Sequence, residues 1–126
     1  MGRGARLGGL GRVRQGRGRR AALNRGEIYD VELGGRRRPV VILTRDRAIP
    51  ILANVTVAAV TGTIRGLPTE VPLGREHGLA RECVANCDNL FTIPKQAVGR
   101  RRGELDPESV ARVRIALLIA LDLEQP

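Results

Sequence analysis

Residues 40–43, Val-Val-Ile-Leu, form an uninterrupted apolar run. A run this short, with no alternation, fits a strand covered on both faces. Val55-Thr56-Val57-Ala58-Ala59-Val60-Thr61 is rich in β-branched residues and reads as the central strand of the same sheet. Around these two runs the chain must build a layered β structure. At 126 residues it has room for one domain.

The flanking segments extend the pattern. Glu27 to Leu33 alternates, with Ile28, Val31 and Leu33 as burial candidates and a register break near Tyr29-Asp30. Gly34-Gly35 marks a turn, and Pro39 is expected to begin the next strand. Arg45–Asn54 and Gly62–Pro68 read as loops, the former with apolar residues able to pack. Glu70–Leu73 is a short strand whose Pro72 suits an edge. Glu82–Asn86 and Asn89–Ile93 read as two further strands, and Arg100–Leu105 as a last one. Asp106 caps a C-terminal helix with Pro107 at its first position. Val110, Val113, Leu117, Leu118 and Leu121 give that helix an apolar face, able to cover the sheet or to join a dimer interface. The expected class is mainly β with one terminal helix, a small and strongly curved barrel.

Charge adds a partner class. The net charge is +9, which favours an anionic partner such as nucleic acid or a membrane surface. No stretch approaches the length of a membrane span. Residues 1–24 hold seven Arg, seven Gly and no acid, leaving 15 of the 22 basic residues and all 13 acidic ones to residues 25–126. An Arg/Gly segment this dense has little to bury and is expected to be disordered. It reads either as a nonspecific RNA-binding arm or as a dispensable extension ahead of the true start; it lacks the apolar run of a signal peptide. The expected division is therefore residues 1–24 as extension and 25–126 as the functional domain. Two Cys, Cys83 and Cys87, make no disulfide framework and are expected to be reduced core residues of a cytoplasmic chain. His77, the one His, is expected in a turn, and no metal or other cofactor is expected.

Six segments together resemble the MazF/PemK toxins. They are Arg25-Gly26-Glu27-Ile28-Tyr29, Arg38-Pro39-Val40-Val41-Ile42-Leu43, Val57-Ala58-Ala59-Val60-Thr61, Leu67-Pro68-Thr69-Glu70-Val71, Cys87-Asp88-Asn89 with Thr92-Ile93, and the Ala-Leu closing helix. Each is weak alone; their order and spacing over residues 25–124 are specific. The resemblance implies an SH3-related barrel, a homodimer, and a metal-independent endoribonuclease that cuts single-stranded RNA at short sequences. It also implies an acidic antitoxin that blocks the site.

By the same resemblance Arg38 and Thr61 match the family's catalytic Arg and Thr. A guanidinium fork suits two phosphate oxygens, and a Thr hydroxyl can donate to a third. Arg38 precedes a proline, which restricts it to extended backbone. Asp88 matches a carboxylate implicated in some members and could accept from a base N–H, though a turn-forming role is open. Arg36, Arg37 and Arg65 are candidates for RNA phosphates, and Thr63 and Asn86 for bases. The chain departs from the family twice. Gly34-Gly35-Arg36-Arg37 replaces a longer loop containing a Ser-Glu-Gln stretch, removing a carboxylate that some members carry, and Gly62 stands where relatives often have Ser. Aromatic residues are 2% of the chain, so base stacking contributes little and reading would rest on polar and arginine contacts. Two other readings fit the barrel: a noncatalytic basic RNA-binding module, and a gyrase-inhibiting toxin of the same fold. The latter resembles a pattern ending in a Trp-containing helix, and this chain has no Trp.

Overall fold

A computed structural model describes residues 22–123. Most of the Arg/Gly segment, residues 1–21, lies outside the described residues. Six strands form one antiparallel sheet: β1 (Glu27–Leu33), β2 (Arg36–Ile42), β3 (Asn54–Thr61), β4 (Glu70–Leu73), β5 (Cys83–Pro94) and β6 (Val98–Glu104), followed by helix α1 (Pro107–Ala120). Their order across the sheet is β4-β5-β3-β2-β1-β6.

The hairpin between β1 and β2 sets the register. Gly34 and Gly35 take φ of 59° and 77°, the two positive values a two-residue primed turn requires. Such a turn makes Leu33↔Arg36 a hydrogen-bonded pair, so Asp30↔Pro39, three positions on, is a non-hydrogen-bonded one. The missing N–H of Pro39 therefore faces β3, whose pairing with β2 begins only at Val40↔Ala59. Pro39 thus sits inside β2 rather than at its start, without cost to the ladder. The break expected near Tyr29-Asp30 is present as register shifts of β1 against β6 on both sides of Tyr29.

Both faces of the central strands are covered. Ile28, Val41, Ala58, Val60 and Ala85 pack with Val113 and Ala116 of α1 on one face. Tyr29, Val40, Ile42, Val55, Val57 and Ile93 form the other cluster, which Leu23 and Ile49 join. Leu23 belongs to the segment assigned above to the extension, so packed structure reaches slightly into it. Each fully buried Val or Ile contributes about 1.5–3 kcal/mol, and truncating Ile42 to Ala would cost about 2–5 kcal/mol.

The two edges of the sheet meet. A 3₁₀ turn after β4, Arg75–His77, leads to Gly78 with φ 91°. A Cβ on Gly78 would overlap the carbonyl oxygen of Arg102 in β6, and one on Gly103 would overlap that of His77. Glycine at both positions lets the backbones touch and close the barrel.

Two expectations are corrected. The two strands expected over 82–93 are one strand, β5, interrupted by a bulge: β3 partners jump from Ala59↔Asn86 to Ala58↔Leu90. The buried face of α1 is Ser109, Val113 and Ala116, with Leu117 and Ala120 against the core. Val110 and Leu121 stay 37% and 51% exposed, because the helix is rotated by a polar anchor at Ser109.

Candidate functional site

Arg38 and Thr61 stand at matching strand ends. The last β2–β3 pair is Val40↔Ala59, and the same antiparallel register continued two residues would set Arg38 opposite Thr61. Both lie on the face that carries Val40 and Ala59, at the end where β2 and β3 outrun their pairing. Arg38 is exposed and Thr61 half-buried. Among the described residues Arg38 has no ion pair. The Thr61 hydroxyl oxygen accepts from the Thr63 N–H at 3.1 Å, which orients the side chain and leaves its proton to be donated.

The next row on this face is Val40, Ala59, Asn86 and Glu70. Glu70 was read only as a strand residue, yet its carboxylate shapes the site. It accepts from the backbone N–H of Arg65 (3.1 Å), Gly66 (2.9 Å) and Leu67 (3.3 Å). These bonds hold the loop that carries Thr63 and Arg65 beside Thr61. The signal in the sequence was an acid just beyond Gly66-Leu67-Pro68, a turn whose donors need an acceptor. Arg65 itself is exposed.

Asp88 has the turn-forming role left open above. Its carboxylate accepts from the Thr69 hydroxyl at 2.5 Å, and its N–H donates to the Asn86 side-chain oxygen at 2.9 Å. Cys87 N–H adds a bond to the Thr69 carbonyl at 3.0 Å. Together they fix the β5 bulge against the start of β4. Asn86 pairs with Ala59, on the face that carries Thr61. Arg36, at the hairpin tip, shares the Arg38 face, but the strand alternation turns Arg37 to the opposite one. There it lines a recess of about 260 Å³ with Asp30, Glu32 and Arg100. By strand alternation Arg36 and Asn86 share the face of Arg38 and Thr61, Thr63 and Arg65 lie on the loop that follows Thr61, Asp88 is engaged with Thr69, and Arg37 faces away.

His77 lies elsewhere, in the expected turn and buried. Its Nδ1 accepts from the Gly74 N–H at 3.1 Å, so Nε2 carries the proton and meets Asp106 Oδ1 at 2.8 Å and Ser109 Oγ at 3.2 Å. Ser109 donates to Asp106 at 2.6 Å. These bonds, from Ser109 first and His77 second, hold the Asp106 carboxyl well below the usual carboxylate range. The residue types are those of a nucleophilic triad, but Ser109 gives its proton to Asp106 rather than to the imidazole. The cluster ties the barrel seam to the start of α1.

The thiols are inert. Both cysteines are buried and free. Burial, with the Asp88 charge second, pushes Cys87 up to about 11. Burial also raises Cys83. Among the described residues no three His, Cys, Asp or Glu side chains converge as a metal site would require, and no helix is long and apolar enough to cross a membrane.

Comparison with known proteins converges on one family. Residues 24–121 match the family described as PemK-like, MazF-like toxin of type II toxin–antitoxin system. Over 87 residues, 69% of this chain and 84% of the relative, the chain is 46% identical to endoribonuclease MazF3 of Mycobacterium tuberculosis. It is 40% identical over 86 residues to the probable endoribonuclease MazF2 of the same organism, covering 68% of this chain and 84% of that one. Among solved structures, the Mycobacterium tuberculosis toxin MazF-mt6 superposes with a TM-score of 0.74 at 42% identity, over 79% of this chain and 99% of that one. A mycobacterial endoribonuclease in complex with its cognate antitoxin superposes with a TM-score of 0.76 at 31% identity, over 83% of this chain and all of the other.

Proposed function

The chain belongs to the PemK-like, MazF-like toxins of type II toxin–antitoxin systems, and from that premise we propose how its residues carry an endoribonuclease activity. It is an endoribonuclease toxin whose substrate is single-stranded RNA, cut at a short sequence without a metal or other cofactor. The 2′-OH at the cut attacks the adjacent phosphorus and gives its proton to water, the P–O5′ bond breaks, the leaving O5′ takes a proton from water, and a 2′,3′-cyclic phosphate and a 5′-OH remain. Arg38 holds two non-bridging oxygens of the phosphorane in its planar fork and keeps its own proton. Thr61 donates a hydrogen bond from its hydroxyl to a phosphate oxygen and keeps its proton.

The observation that carries this reading is the shared face and register of Arg38 and Thr61, with the Arg38 guanidinium unpaired among the described residues. Arg36 and Arg65 hold flanking phosphates, and Arg37 adds positive field from the far side. Asn86 and Thr63 offer donors and acceptors to bases, and Asp88 offers its second carboxylate oxygen. The active form is a homodimer in the cytoplasm, where mRNA is available. An acidic antitoxin segment neutralises the same unpaired arginines; a structural relative is named with its cognate antitoxin. Residues 25–126 form the toxin domain, and residues 1–24 add sequence-independent RNA affinity.

The test is cleavage of a long single-stranded RNA in EDTA, followed by the same RNA with a 2′-deoxy nucleotide at the mapped cut. Cleavage should persist in EDTA, leave cyclic phosphate ends, and vanish at the deoxy position. Cleavage at the deoxy position would overturn the mechanism.

A further inference from the structure

Two recesses of opposite character share Cys83 in their lining. The larger, about 810 Å³, has Arg75 and Arg112 outnumbered by Glu76, Glu82, Asp106 and Glu108 in its lining. It repels a polyanion. The smaller, about 190 Å³, is bounded by Pro39, Thr61 and Gly62, and among the described residues its charged lining is Arg81 and Arg102. We propose that this smaller recess is a second phosphate subsite, in which Arg81 and Arg102 hold the backbone phosphate next to the scissile one. The proposal rests on the reading of Arg38 and Thr61 as the active centre, because Thr61, the last residue of β3, lines this recess at the strand end.

Arg102 is a positioned guanidinium. Its Nη1 donates to Asp30 at 3.0 Å, and Asp30 is only 7% exposed. One of five N–H donors is used in that bond, and the group's direction is fixed by it. Arg81 is exposed and has no ion pair among the described residues. Arg81, Arg102 and the buried Cys83 line the same recess. A Cβ built on Gly62 would meet nothing within 4 Å, which leaves the backbone beside Thr61 open to a phosphate. Asp30 is then a positioning residue: it aims Arg102 and takes no part in the chemistry.

The test uses the full chain and a single-stranded RNA with a 2′-deoxy nucleotide at the mapped cut, so that binding is read without cleavage. Arg81→Ala should raise Kd about tenfold at 0.1 M salt. It should also make the slope of log Kd against log salt shallower by about 0.7, one phosphate contact on a single strand. Arg81→Lys should restore the slope. A methylphosphonate at the adjoining phosphate should make wild type and Arg81→Ala bind alike. Arg114→Ala, exposed on α1, should change neither quantity, and all variants should share one Tm. Wild-type affinity and slope in Arg81→Ala would overturn the subsite alone. A wild-type protein that fails to bind the RNA at all would overturn the functional reading as well.

Discussion

The strand end at Arg38–Thr61 and the His77–Asp106–Ser109 cluster are both polar, and they differ in what is left over. In that cluster every hydrogen-bonding capacity of the buried imidazole is consumed: Gly74 on one nitrogen, Asp106 and Ser109 on the other. At the strand end the Arg38 guanidinium has no ion pair among the described residues, and the Thr61 proton is undirected by any protein acceptor there. A group already satisfied by its neighbours stabilises the fold; a group held in place yet unsatisfied is available to a substrate. Composition alone would have ranked the two regions the other way, since His, Asp and Ser are the commoner sign of catalysis.

The comparison breaks most easily at Arg38. Arg38→Ala should lower the cleavage rate constant about 10²–10³-fold, the loss of one preorganised transition-state donor, with Tm unchanged because the side chain is exposed. His77→Ala should do the reverse. It leaves a buried Gly74 N–H unpaired and empties a packed site, costing about 2–3 kcal/mol of stability, while the rate per folded molecule stays within threefold. Thermal melts paired with single-turnover cleavage would separate the two.

Thr61→Val should cost about 10–100-fold in rate, as expected for a hydroxyl donating to a charged acceptor. The effect of Asp106 is smaller and visible in the pH dependence. Its folded-state carboxyl is depressed below its unfolded value, so its stabilisation is complete above about pH 4 and is lost as pH falls through the depressed folded value. Asp106→Asn should therefore flatten the acid limb of Tm against pH and leave cleavage near neutrality unaffected. An unchanged acid limb would show that the anchor is not what Asp106 supplies. Smallest of all, deleting residues 1–21 should weaken RNA binding at low salt and leave the cleavage rate of bound RNA intact.

Much of the fold was legible because its signals are local. Val40–Leu43 declared a strand covered on both faces, the irregular alternation at Tyr29-Asp30 marked a register break, and Gly34-Gly35 announced a turn. What was not legible depends on partners distant in sequence. The β5 bulge exists because Asp88 and Cys87 bond to Thr69, and α1 is rotated because Ser109 meets His77, 32 residues away. The site divides in the same way. Arg38 and Thr61 were identified by resemblance, and the β2–β3 register is what supports the proposal that they act on one point. Glu70, Arg81 and Arg102 carried no local mark, since their roles follow from a loop they hold or a seam they line.

The central claim is that Arg38 and Thr61 converge on one phosphate. The direct measurement is a double-mutant cycle of single-turnover cleavage rates in EDTA, using wild type, Arg38→Ala, Thr61→Val and the double variant. If the two residues grip the same transition state, the double variant should be within about threefold of Arg38→Ala, far short of the product of the single losses. Losses that multiply in full would contradict convergence and place the two side chains in separate roles.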